Sequence, residues 1–227
     1  MIWADTGFLL SKKSFQENSV IAIFYTKKHG KCSGIIYGAT SKKIKNYLQN
    51  GNELHLEYHA KNENILGYFK IEIINPLTSK YFHEKKKLNC IVSMLDLIKI
   101  LTVDGQKNYE IYNLIKKFFT IINNENWKIE YVFWELDLLK YIGFDLNISD
   151  YCKYETNQNN DKKYFIKNVS KKLIVPNFLI EKNQFNISDR DVYEALILIG
   201  EYMKKNVFIP NNINLPLSRQ NFINFLK

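Results

Sequence analysis

The chain has 227 residues, 46% of them apolar, and carries 32 Lys and Arg against 23 Asp and Glu for a formal charge of +9. That apolar content excludes a wholly disordered chain, and the length supports one large domain or two small ones. No run reaches the roughly 18 apolar residues that span a bilayer. The N-terminus, MIWADTGFLLSKKSF, holds Asp5 and has neither a basic leader nor a small-residue cleavage site, so a cytoplasmic protein is expected. Cys32, Cys90 and Cys152 are far apart and odd in number, which fits reduced thiols better than a disulfide framework.

Up to about residue 75 the chain reads as strands. FLLSKKSF is followed by the β-rich run SVIAIFYT (19–26), a turn-like KKHG and KCSGIIYGA (31–39). ELHLEY (53–58) alternates, with Leu54, Leu56 and Tyr58 on one face and Glu53, His55 and Glu57 on the other. ILGYFKIEII (65–74) sets Gly67, Phe69, Ile71 and Ile73 against Tyr68, Lys70 and Glu72. Asn75-Pro76 ends the run. Five short strands in this length predict a small closed barrel of OB type, because closure leaves no edge strand. The expected class is α+β: an OB barrel over 1–76, then a helical domain over 77–227 with an insertion at about 150–180.

After Pro76 the apolar period becomes helical. The segments 88–101, 109–122 and 127–143 carry it, the last ending at Gly143 as a helix C-cap would. SDRDVYEALILIGEYMKKNV (188–207) opens with Ser188 and Asp191, a capping-box variant. PLSRQNFINFLK predicts one more short helix. Between them KYETNQNNDKK (153–163) reads as a polar loop leading into a hairpin of YFIKNV and KLIVP. No repeat of solenoid period occurs.

Catalytic patterns are absent: there is no phosphate loop, dinucleotide fingerprint, nucleophile elbow or HExxH. His29, His55, His59 and His83 lack metal-ligand spacing. His55 and His59, four apart on a strand, lie about 13 Å apart along it and read as solvent-facing residues. Glu135 and Asp137, two apart on a helix, point in different directions and read as surface groups. Cys152 has no CxxC partner, so neither metal nor cofactor is expected. No enzyme activity is expected.

The binding pattern is more informative. Lysine abundance alone says little, since Arg occurs only at Arg190 and Arg219 and an AT-rich genome yields such a composition; position matters more. No acid falls between Glu17 and Glu53, while Lys27, Lys28, Lys31, Lys42, Lys43 and Lys45 all do. OB barrels bind single strands through a basic groove and aromatic faces. Those lysines flank the strand holding Tyr37, and Tyr47 and Tyr68 lie near, so the six lysines with Tyr37 and Tyr47 form the expected DNA-binding set. A solvated loop and barrel packing are the alternative readings.

From GFLLSKKSFQENSVIAIFYTKKHGKCSGIIYGATSKK to LPLSRQNFINFL, with LLKYIGFDLNISDYC between them, the chain resembles the RecO family of bacterial recombination mediators. The resemblance implies an OB domain and a helical domain, binding to single- and double-stranded DNA, and strand annealing. It also implies a partnership with RecR in loading RecA onto DNA coated with single-strand-binding protein (SSB), and a grip on the acidic, apolar C-terminal tail of SSB. It places Lys42 and Lys43 at basic DNA-contact positions and matches His29-Gly30-Lys31 to a Gly-basic hairpin turn. Two departures stand out. Cys152 matches only the first ligand of the zinc site some relatives carry, and Val132 and Phe133 stand where better-known relatives have a basic pair. Lys128, Lys140 and Phe133 are the remaining candidates for holding the SSB tail. The alternative is a protein-interaction adaptor whose barrel binds nucleic acid weakly.

Overall fold

Four consecutive residues near the N-terminus, Gly7, Phe8, Leu9 and Leu10, are buried. Side chains alternate sides along a strand, so a strand buried at every position is covered on both faces. In the computed structural model, which describes residues 1–62, 65–156, 162–167, 172–181 and 187–227, this stretch lies in strand β1 (Ile2–Phe15). With β2 (Ser19–Thr26), β3 (Gly30–Tyr37), β4 (Glu53–His59) and β5 (Tyr68–Asn75) it closes a barrel in the order β1-β2-β3-β5-β4. This is the OB barrel that the strand pattern predicts. β1 pairs with β4 through Ile2–Phe8 and with β2 through Gly7–Phe15, with a register shift between Leu9 and Ser11. One long, bent strand thereby closes the sheet on itself.

Leu9, Ala22, Phe24, Ile36, Leu54, Leu56, Phe69 and Ile71 fill the interior. At the parallel β3–β5 junction, a Cβ on Gly34 would stand 2.5 Å from the Phe69 ring, so the seam requires glycine there. Between β3 and β4 a short helix, α1 (Lys42–Tyr47), is capped by Ser41, whose hydroxyl accepts from the Ile44 amide.

Outside β1, Phe8 packs against Tyr112 and Phe119, with ring centroids 5.2 and 6.2 Å away. These residues belong to α3 (Tyr109–Ile121), which follows α2 (Lys85–Leu101). The Tyr112 hydroxyl donates to buried Glu53 (3.0 Å) and lies 3.1 Å from Thr6 Oγ1; Asn75 donates to the other Glu53 oxygen (2.6 Å). Tyr25 donates to the Asn108 carbonyl (3.2 Å). The strands stop near residue 76 as expected, but the compact unit extends over Met1–Phe119. The outward face of β1 is apolar and takes these helices as its cover.

The second compact unit is Thr120–Lys227. It contains α4 (Trp127–Tyr141), α5 (Ile148–Tyr151), α6 (Phe178–Glu181), α7 (Asp189–Met203), a π-helical turn (Lys204–Phe208) and α8 (Leu217–Asn224). Ser188 and Asp191 make the reciprocal capping box, and Gly143 ends α4's exit turn at φ +87°. The insertion differs from expectation. Lys153–Thr156, read as the start of a polar loop, is strand β6, and pairs with β7 (Lys162–Lys167), which pairs with β8 (Lys172–Val175). Strand pairing satisfies the backbone of β6 even though its side chains are polar and exposed. Residues 157–161 of that expected loop and residues 168–171 of the expected hairpin segment lie outside the described residues.

Glu135 is a further correction. It is not a surface group but fully buried, and so is Arg219. Arg219 donates through Nε and Nη2 to the two Glu135 oxygens (2.9 and 2.7 Å) and through Nη2 to the Leu196 carbonyl (2.7 Å). Burial alone would push the guanidinium down, but Glu135 outweighs it and Arg219 sits above its ordinary value. A Cβ on Gly200 would lie 2.6 Å from Arg219 Nη1, so α7 passes close to the guanidinium only as glycine. The partner stands 84 positions away in sequence, which is why local spacing misplaces Glu135.

Arg219→Ala leaves a buried carboxylate without its cation and is expected to cost about 3–5 kcal/mol in urea unfolding, whereas Glu135→Leu with Arg219→Met should recover most of that loss. A second expectation concerns alkali. Burial pushes the Tyr25 and Tyr112 hydroxyls up to about 12 from an ordinary value of 10.0. Below the unfolded value both states hold the proton and the stability is intact. Above it only the unfolded chain releases protons, so stability falls from about pH 10 and is lost through about pH 12. Phenolate absorbance should show two tyrosines titrating late, together with the loss of structure.

Candidate nucleic-acid interface

The six lysines that sequence places in one window occupy two places on the barrel. β2 and β3 form a hairpin in which Thr26 opposes Gly30 at one end and Ser19 opposes Tyr37 at the other. Seven residues of strand separate the ends by roughly 23 Å. Lys27, Lys28 and Lys31 lie at the turn end. Lys42, Lys43 and Lys45 follow Tyr37 at the far end, on α1.

The turn end is built around Asp5, which is buried. Its carboxylate accepts from the Thr6 amide (2.8 Å) and the Lys28 amide (2.7 Å) and contacts His29 Nδ1 at 3.1 Å. The His29 ring stacks on Trp3 at 4.0 Å, and Trp3 stacks on Tyr58 at 4.9 Å. Gly30, at φ +66°, makes the turn; a Cβ there would meet the Gln106 carbonyl oxygen at 2.1 Å. The Lys31 ammonium is not free for a ligand. It donates to the Lys99 carbonyl (2.7 Å) and pairs with Asp104 (3.1 Å). Lys27 and Lys28 remain exposed, Lys27 with its ammonium 5.6 Å over the Tyr109 ring. The window free of acids in sequence is therefore not free of them in space.

The α1 end has a different character. Lys42, Lys43 and Lys45 are exposed, and no Asp or Glu lies in the first turn of α1. Lys43 lies 5.9 Å over the Tyr47 ring, and Tyr47 packs on the barrel core beside Ile44. Sequence reasoning missed Lys12. Its ammonium donates to the Leu48 carbonyl, and burial together with the charge of Lys45 pushes its pKa down. Lys12 and Lys45 thus share one positive field though 33 residues apart. Thr78, in the 3-10 turn before α2, donates to the Asn50 carbonyl (2.6 Å) and ties that turn to the loop after α1.

An aromatic row borders this basic end. Tyr37, 57% exposed, has its ring 5.9 Å from Tyr68, and Tyr68 stacks on His59 at 4.9 Å with planes 7° apart. The row crosses β3, β5 and β4, neighbours in the barrel. His55 and His59, expected to face solvent, are both only half-exposed, His59 because Tyr68 stacks on its ring. Cys32 is no nucleophile: burial pushes its thiol up to about 12. Among the described residues no group of His, Cys, Asp and Glu is placed to hold a metal ion, and no helix is long and apolar enough to cross a membrane.

In the second unit, α4 buries Trp127, Ile129, Tyr131, Val132, Trp134, Leu138 and Leu139 around most of its circumference. Lys128 is bound to both oxygens of Asp189 (2.6 and 2.7 Å). Lys140 is exposed in the last turn, 12 residues and about 18 Å along the axis from Lys128. Phe133 packs edge-on against Phe178 at 5.9 Å. These three residues do not converge on one groove.

Two family models match the chain: recombination protein O N terminal over residues 1–77 and recombination protein O C terminal over 84–210. Among similar curated proteins is a DNA repair protein RecO of Ehrlichia chaffeensis, 28% identical, covering 100% of this chain and 98% of the relative. Proteins of the same name from Wolbachia pipientis (26% identical, 99% of both chains) and Rickettsia akari (27% identical, 98% and 97%) match as fully.

Proposed function

The chain belongs to the RecO family, whose role is in DNA repair and recombination, and on that premise we propose that it is a DNA-binding recombination mediator. It anneals single strands and, with RecR, promotes loading of RecA onto SSB-coated single-stranded DNA in the cytoplasm. It does so without catalysis of its own. Residues 1–76 are the nucleic-acid-binding domain, and 77–227 the helical domain with its insertion. The observation that carries the reading is the conjunction at one end of the barrel of exposed Lys42, Lys43 and Lys45 with the Tyr37–Tyr68–His59 row, of which Tyr37 is exposed and the other two half-exposed. Ammonium groups neutralise phosphates, and ring faces stack on bases of any identity. Such a surface holds a strand without reading its sequence, as an annealing protein must.

Lys27 and Lys28 extend the footprint toward the turn end, Lys12 and Lys45 concentrate charge beside α1, and Tyr47 positions Lys43. Lys31 serves the fold instead. SSB is recruited through its acidic tail, a contact that supplies the partner specificity which phosphate binding lacks.

Single-strand binding to the parent protein should fall steeply with salt. Lys42→Ala with Lys43→Ala is expected to flatten the log–log salt slope by about one to two units and to weaken all sequences alike. Lys31→Ala should leave that slope in place and lower the stability of the barrel by about 1 kcal/mol. Tyr37→Ala with Tyr68→Ala should weaken binding by roughly 1–3 kcal/mol per lost stack, with the slope retained. Gel shifts and anisotropy over a salt series check all three; an unchanged slope in the Lys42/Lys43 variant removes the proposed interface.

A further inference from the structure

The exit of α1 is stapled to β1. The Leu9 amide donates to the Asn52 carbonyl (3.0 Å), and the Leu9 carbonyl accepts from the Gly51 amide (2.7 Å). Further along the strand, past the register shift, Lys12 is exposed and opposes Ala22 of β2. Its ammonium reaches the carbonyl of Leu48, the buried residue that caps α1. A strand side chain is thereby tied to the end of a helix 36 residues away in sequence. Lys45 stands in the last turn of that helix, and its charge acts on Lys12. Lys42 and Lys43 open the same helix and are exposed.

This arrangement favours the neutral amine. Partial burial of the side chain disfavours its charge, the Lys45 charge does so as well, and the Lys12 pKa is lowered. An amine that has released one proton keeps N–H groups for the Leu48 carbonyl and gains a lone pair directed away from that bond. The position of Nζ is therefore held in either protonation state. A desolvated lysine beside a second cation is one way proteins make an amine nucleophilic toward a carbonyl carbon.

The neighbours of Lys12 specify which carbonyl. Exposed lysines on α1 attract phosphates, so the electrophile should lie between phosphates. DNA presents such a group where a base has been lost: the deoxyribose ring opens to an aldehyde at C1′, with a phosphate on each side. A nucleotide of this kind has no base for the aromatic row to hold, so stacking gives it no grip.

We propose that Lys12 captures abasic sites in single-stranded DNA as an imine, while Lys42, Lys43 and Lys45 hold the flanking phosphates. The proposal rests on the reading that the α1 end binds single strands. The Nζ lone pair adds to the C1′ carbonyl carbon, and the C=O π pair passes to oxygen. That oxygen takes up a proton as nitrogen gives one to solvent, which leaves a carbinolamine. The hydroxyl then departs with a second proton as water, nitrogen releases its remaining proton, and C=N replaces C–O. Nothing is oxidised or reduced. Hydrolysis reverses the step, so the strand is held and not cut.

The test mixes the full chain, at a concentration that saturates the DNA, with a single strand carrying one abasic site. Sodium cyanoborohydride reduces any imine to a stable secondary amine. A protein–strand adduct is expected, with mass spectrometry placing it on Lys12, and none with a tetrahydrofuran site, which has no aldehyde. Lys12→Arg keeps a cation but supplies no nucleophilic amine, and should lower the adduct per bound strand about tenfold or more. Lys45→Gln should move the pH profile of capture upward, because Lys12 loses the neighbour that opposes its charge. Circular dichroism reports that each variant is folded, and the mapping in the parent needs no variant. An adduct mainly on Lys42, Lys43 or Lys45, undiminished capture by Lys12→Arg, or an unmoved pH profile overturns the proposal. A bound abasic strand that gives no adduct also overturns it and leaves single-strand binding standing. A parent that binds no strand overturns both.

Discussion

The first compact unit depends on β1 being buried from both sides. Leu9 faces the barrel interior with Phe24 and Leu56, while Phe8 faces outward to Tyr112 and Phe119. A strand in a free-standing barrel alternates apolar and polar; this one cannot, because its outer surface is the floor of a helical layer. The same strand pairs with β2 and β4, so closing the barrel and docking the helices share one set of residues. The polar seam between Glu53, Tyr112, Thr6 and Asn75 then fixes how the layer sits, since each buried oxygen must be satisfied.

That arrangement determines what the lysines do. The β2–β3 hairpin carries one end of the lysine window to Asp5, Asp104 and Lys99, where charge and hydrogen bonds are consumed in holding a turn. It carries the other end to α1, where Lys42, Lys43 and Lys45 are exposed and the first helical turn holds no Asp or Glu. Uncompensated charge has a field that reaches about a Debye length into solvent; a paired lysine adds little to it. In the proposed function the α1 end, bordered by the aromatic row, is therefore the surface offered to a polyanion.

The second unit is organised around α4. With apolar residues on nearly every side, that helix is a central element, and a central helix has little rim to offer a partner. Its one buried carboxylate, Glu135, is answered by Arg219 from α8, and Gly200 of α7 makes room for the guanidinium. A buried ion pair adds modestly to stability but penalises any other packing of the three helices, because displacement would strand a charge.

The five-stranded barrel, the change to helices after Pro76 and the helix boundaries marked by Ser188 and Gly143 are all legible in the order of residues. Those features are local: alternation, helical period and capping are written within a few residues of where they act. The resemblance to the RecO family was legible for a related reason, since the order of elements is linear along the chain. Which charges stay free was not legible. Lys31 and Lys45 look alike in sequence, and only Asp104 and Lys99 on one side and Lys12 on the other distinguish them. Glu135 resembled a surface group until Arg219 arrived from 84 residues away, and β6 resembled a loop until β7 paired with it. Electrostatic and pairing partners are chosen by proximity in space, and the tertiary structure alone creates that proximity.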